Sequence, residues 1–310
     1  MPITIPFVSA NPLSAILPWL AAALLSSVTL VLCLYEGAKA HGIAGNRLFL
    51  GTLPFDDPAV NDEFSSAFSD LRRSVPEGAA VDRALSVGLS RLLTPRLAFA
   101  TGSTWIDRNA QGIANTRGFD TTSLALKGLL YEDDPHETLL SAGIGWGLPG
   151  VGSRRLGAHS SIEPGIFFGK GFGDLPHSLS WLRSFAISGG LGFEHPTGRG
   201  PGSDVIHWGA ALQFSTFYLT DRFTGGPPKE EPLFQWVPLI ELSADTPTRG
   251  NTSATAGVGI AYVGRTCQIA AEVVVPLNRE AALNAGVIVS LLLFLDDLIP
   301  SVFGKPLLWE

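Results

Sequence analysis

Charge is what this chain most lacks: only 16% of its 310 residues are Asp, Glu, Lys or Arg, against roughly 25% in an average soluble protein. Apolar residues make up an ordinary 45% and mean hydropathy is +0.26, a balance compatible with lipid. The long apolar runs of a helical membrane protein are absent after residue 35. Basic residues are also few: 21 Lys and Arg against 28 Asp and Glu leave a formal net charge of -7. With no basic stripe, nucleic acid is excluded as a partner. There are two cysteines, Cys33 and Cys267. If the N-terminal run carrying Cys33 is removed, no internal disulfide and no Cys-based metal site can form.

The length fits one large β-domain or two ordinary domains. Residues 13–35, "LSAILPWLAAALLSSVTLVLCLY", are nearly all apolar, and Ala38 and Ala40 flank Lys39 just after them. Small-x-small after an apolar run is a signal-peptidase pattern, giving a signal at residues 1–40 and His41 as the first mature residue. An uncleaved N-terminal anchor is the alternative, because the run approaches the roughly 20 residues that span a bilayer and no Lys or Arg precedes it. Both readings take the chain out of the cytoplasm. A freed His41 would set an imidazole beside an amine, a pair able to hold Cu(II), but an ordinary mature N-terminus is the favoured account. Lipidation at Cys33 is disfavoured by the large Leu32 before it. Residues 41–80 have no long period and read as a periplasmic leader or plug, with one further strand near residues 61–68.

What is there, from residue 81 on, is alternation. In "SFAISGGLGF" (184–193), Phe185, Ile187, Leu191 and Phe193 oppose Ser184, Ala186, Ser188, Gly190 and Gly192, the two-residue period of a strand. The same pattern recurs in segments 84–92, 96–106, 119–131, 138–148, 158–172, 206–219, 234–245, 252–263, 267–275 and 283–294. With the strand near residue 64 the total is about twelve, an even number suited to a bacterial outer-membrane barrel. The expectation is an all-β, antiparallel up-and-down transmembrane barrel over residues 81–296, with a tail at 297–310.

Three features favour the barrel over a soluble sandwich. The segments are long, as bilayer-crossing strands of about 9–11 residues must be. Tight connections (94–95, 132–137, 264–265) alternate with looser polar ones (107–118, 149–157, 196–204, 246–251), as short periplasmic turns and longer external loops do. The loop "TDRFTGGPPKEEP" (220–232) breaks this rule on the short side. Finally, Trp105, Trp146, Trp208, Tyr218, Trp236 and Tyr262 fall near strand ends, where amphipathic rings favour the membrane interface.

If the apolar sides meet lipid, the opposite sides name the lumen. Lys or Arg at the bilayer midplane on the lipid face costs about 2–4 kcal/mol, so mid-strand charges belong inside. Lys127, Glu163, Gln213, Glu241, Asp245, Glu272 and Gly190 are the lumen-lining candidates, read either as a field selecting permeants or as bridges filling a closed interior. No catalytic constellation emerges. His159-Ser160 and His177-Ser178 invite a lipid-hydrolase reading, but adjacent strand residues face opposite ways. "ATGSTW" (100–105) lacks the Lys of a phosphate loop.

"SRLLTPRLAF" (90–99) and the closing "FLDDLIPSVFGKPL" (294–307) resemble the outer-membrane protein family named for the meta-pathway of phenol degradation and its proteobacterial relatives. The resemblance spans about residues 83–307. It implies an outer-membrane barrel of a Gram-negative cell passing small organic molecules, apolar or aromatic ones among them, and it carries no catalytic residues to transfer; no cofactor is expected. A structural barrel with a plugged lumen and an outer-membrane lipid hydrolase are the alternatives. The expected partners are membrane lipid and a small-molecule permeant, with no oligomeric state assigned. One departure is the sixteen-residue tail (295–310) after Phe294, where such barrels often end on an aromatic residue.

Overall fold

The computed structural model describes residues 42–51, 56–75, 78–110, 114–150, 152–197, 203–219 and 233–308. A two-stranded hairpin, β1 (Ile43–Ala44) and β2 (Arg47–Leu48), comes first. Then follow β3 (Glu63–Val75), β4 (Gly78–Thr94), β5 (Leu97–Ala110), β6 (Thr116–Phe119), β7 (Thr122–Asp133), β8 (Thr138–Leu148) and β9 (Ser161–Gly171). The series ends with β10 (Phe185–Pro196), β11 (Val205–Phe214), β12 (Gln235–Pro247), β13 (Ser253–Val263), β14 (Cys267–Pro276) and β15 (Leu283–Phe294), and a helical turn α1 (Leu295–Leu298).

Every strand from β3 to β15 except β6 pairs antiparallel with its neighbours, and β15 pairs back onto β3. The result is a closed barrel of twelve strands. Short β6 extends the wall beside the upper half of β5, opposite Trp105 to Arg108, while β7 pairs with the lower half, Leu97 to Gly102.

The alternation seen in the sequence decides the faces. Along β10, Ala186 and Ser188 are 0% and 1% exposed, whereas Leu191 and Phe193 are 49% and 39% exposed. The apolar side therefore points outward, as lipid requires. Leu85, Val87 and Leu89 on β4, Ile240 and Leu242 on β12, and Val287 and Val289 on β15 continue this band. Trp236 and Tyr262 pack at 5.1 Å near one rim, and Trp105 and Phe119 at 5.1 Å toward the other. Tyr218 departs from the expected belt: it is buried, and its hydroxyl donates to Glu137 inside the rim.

The rim where β3 begins and β15 ends, here the proximal rim, carries the connections 95–96, 134–137, 172–184, 215–234 and 264–266. The distal rim carries 111–121, 149–160, 197–204, 248–252 and 277–282. All three tight turns expected from the sequence are proximal and all four loose connections distal. A second long proximal link, 172–184, holds a short 3-10 helix, His177–Leu182. The stretch 220–232 and His41 lie outside the described residues.

The barrel opens at Glu63, not at residue 81. The first strand was hard to read because its upper half reverses polarity. Leu71 and Arg73 face a lumen cavity, while Asp70 pairs with the exposed Arg83 at 2.9 Å, so the apolar period breaks there. Cys267 is fully buried; Cys33 and the N-terminal run that carries it lie outside the described residues. After α1 the tail folds back on β4. Leu307 and Leu308 donate backbone hydrogen bonds to the carbonyls of Leu92 and Leu93, beyond the point where β4 runs out of β3 partners.

Candidate functional site: the plugged lumen

Residues 42–51 and 56–62 lie inside the barrel. Leu48 and Leu50 pack on the inward faces of Val237, Leu239, Ala261, Val263 and Ala270. Phe49 packs with Ala44, Ala59, Leu139 and Ala186. Its ring sits where a Cβ on Gly169 would come within 2.7 Å of it, so glycine at that wall position is what admits the phenyl group. This segment is a plug in the proximal half of the lumen.

Polar bonds fix the plug at four heights. At the proximal rim, Arg47 is 1% exposed and donates to Glu137 at 3.2 Å and to the carbonyl of Ser184 at 3.2 Å. Its guanidinium lies 4.2 Å from the centre of the Tyr218 ring. Farther in, the amide of Leu50 donates to Gln213, which donates to Ser188, and Gln268 donates to the Gly51 carbonyl at 3.1 Å. At mid-barrel, Lys127 on β7 reaches Asp56 at 2.6 Å and the Asp57 carboxylate at 3.5 Å. Burial pushes the Asp57 carboxyl up to about 6, against the pull of Lys127. Where the plug leaves for β3, Asp62 accepts from the Leu92 amide at 2.6 Å and pairs with Arg91.

Above the plug the lumen widens into a cavity of about 550 Å³, within the range of small-molecule sites. Lys127, Glu163, Gly190 and Asp245 line it, together with Phe167, Glu194 and His207. At its mouth, His159 meets Glu194 at 2.5 Å, Glu194 meets His207 at 3.1 Å, and His207 meets Asp245 at 2.7 Å. The His159 imidazole, in the connection before β9, is raised above its ordinary value by its bonds to the Gly157 carbonyl and Glu194. A second cavity of about 240 Å³ is lined by Glu241, Asp245 and Glu272, with Arg73 among its walls.

The seven lumen candidates thus separate. Lys127, Glu163, Gly190 and Asp245 share the larger cavity; Glu241 and Glu272 share the smaller one with Asp245; Gln213 is 1% exposed and engaged by the plug. Ser160 bonds to Thr197 at 2.7 Å, so it forms no pair with His159. Among the described residues no group of three His, Cys, Asp or Glu has metal-holding geometry. Sequence reasoning passed over Phe167, Glu194 and His207. Strand parity could have found them, since Phe167 and Glu163 are an even number of residues apart on β9.

No protein-family model matches the chain, and no curated protein matches its sequence. Among solved structures, the COG4313 outer membrane channel from Pseudomonas putida F1 aligns with TM-score 0.52 at 9% identity, over 76% of this chain and 96% of that one. The KdgM porin aligns with TM-score 0.46 at 8% identity, over 74% and 98%. LpxR from Salmonella typhimurium aligns with TM-score 0.44 at 10% identity, over 75% and 99%. At such identities the likeness is one of fold. A closed twelve-strand barrel with an apolar outer band is the architecture of a bacterial outer-membrane protein, and the chain has that architecture.

Proposed function

We propose that the protein is an outer-membrane channel for small organic molecules, closed in this state by its own plug, residues 42–51 and 56–62, with the proximal rim facing the periplasm. The observation that carries this reading is the division of the lumen. A cavity of about 550 Å³ stands above a plug held to the wall by separate ion pairs and hydrogen bonds. A barrel filled only for rigidity would have its interior occupied throughout. The COG4313 neighbour, itself described as an outer membrane channel, agrees with this reading, as does the resemblance to the phenol meta-pathway family. The finer expectation, that apolar or aromatic molecules pass, remains part of the proposal.

Planar-bilayer recording of the purified protein tests it. The intact chain should show rare openings, and a variant lacking residues 42–58 should conduct steadily. A folded deletion variant that never conducts would establish the filled, structural barrel instead. Hydrolysis of phospholipid or lipid A by the intact protein, abolished by changing His159 or His207, would establish the enzyme.

A further inference from the structure

Most charges lining the larger cavity already have partners. Lys127 is taken by Asp56, Asp57 and the Asp57 carbonyl, and His207 lies between Glu194 and Asp245. His159, the remaining basic group of the lining, is held by Glu194, so among the described residues no uncommitted cation is left there for an acidic ligand. Glu163 differs: it lines the cavity and is exposed to it, and among the described residues no hydrogen bond or ion pair engages it, His207 acting on it only through space.

The floor beside Glu163 is also specific. Gly165 on β9 pairs directly with Gly192 on β10. A Cβ on Gly192 would lie 2.9 Å from Glu163 Oε1, and a Cβ on Gly165 would lie 3.7 Å from Phe167 Cζ. The carboxylate and the phenyl ring thus lean toward each other across two bare backbone positions. The site sets a carboxylate at one side and an aromatic ring at the other of two glycines without side chains, the ring being also approached by the committed Lys127, 5.7 Å from its centre.

From this geometry we infer that the cavity binds a small organic cation, its ammonium against Glu163 and its apolar body across Gly165 and Gly192 onto Phe167. A carboxylate supplies charge and hydrogen-bond acceptors, and an aromatic ring receives a cationic or apolar body. The inference deepens the channel reading by naming the permeant's class and rests on it for any transport role, while binding itself can be measured without passage.

The test is calorimetric titration of the full chain, folded in non-ionic detergent, with three probes of one shape: phenethylamine, 2-phenylethanol and 3-phenylpropionate. Phenethylamine should saturate one site and bind at least tenfold more tightly than the other two. Glu163→Gln, checked for heat-modifiable folding, should lose that tenfold, and Phe167→Leu should weaken all aromatic probes severalfold. Equal affinity for amine and alcohol, tighter binding of the acid, or full amine affinity in Glu163→Gln would each overturn the inference. Failure of the plug-deleted protein to conduct would remove the channel reading alone, and amine binding would still stand.

Discussion

At Asp57, burial and an ion pair act against each other. The carboxyl is 4% exposed and lies at about 6 when the plug is docked, against 3.8 ordinarily. Because the docked value is the higher one, the docked state holds the proton more tightly. Docking is therefore strongest below about pH 4 and weakens as pH rises through 6. The shift corresponds to about 3 kcal/mol, on the order of a hundredfold in the release equilibrium. Hydrogen exchange of residues 56–62, corrected for intrinsic rates, should quicken between pH 4 and 7, and Asp57→Asn should remove most of that dependence, the remainder coming from Asp62, whose carboxyl burial also raises. A flat profile in the intact protein would count against it. On the outer face, Ile187→Arg places a charge in the lipid band and should cost about 2–4 kcal/mol, read as lost heat-modifiable folding. Gly190→Trp, pointing into the lumen beside Phe167 Cδ1, should assemble normally and obstruct the cavity.

The β1–β2 hairpin is held less by its own pairing than by Arg47. That guanidinium joins Glu137 in the β7–β8 turn to carbonyls of the β9–β10 link, so a short hairpin ties two proximal connections together. Removing one partner of a buried pair costs about 3–5 kcal/mol because the other charge is stranded. Arg47→Ala should therefore release residues 42–51, seen as faster hydrogen exchange there, while the barrel keeps its heat-modifiable mobility. Adding Glu137→Gln should recover part of the loss; no recovery would mean that Arg47 acts through the carbonyls alone. This element also marks where sequence reading ended. The strands were legible because a two-residue period is local, and β8 and β15 were placed to the residue. The plug was legible only as one of two readings of residues 41–80, and its contacts were not legible at all, since Arg47 finds Glu137 and Lys127 finds Asp56 only after the barrel closes. Tyr218 misled for the same reason: its place at a strand end suggested lipid, but the plug's Arg47 lies over its ring.

Closure constrains the whole molecule through strand direction. β15 and β4 both run from the distal rim to the proximal one, and β3 runs between them in the opposite sense. Without β3 the remaining eleven strands could meet only by placing β15 parallel to β4, or by leaving two open edges in hydrocarbon. Unpaired backbone groups in lipid cost several kcal/mol each, and the tail residues Leu307 and Leu308 cover only the proximal overhang of β4. The plug carries no such duty, because no described residue of 42–62 pairs with a barrel strand in the sheet register. Deleting residues 42–58 should therefore leave a heat-modifiable, detergent-stable barrel, whereas deleting 42–75 should leave material that migrates identically with and without boiling. A heat-modifiable product from the longer deletion would mean that the wall can reclose without β3, and that the barrel proper starts near residue 81 after all.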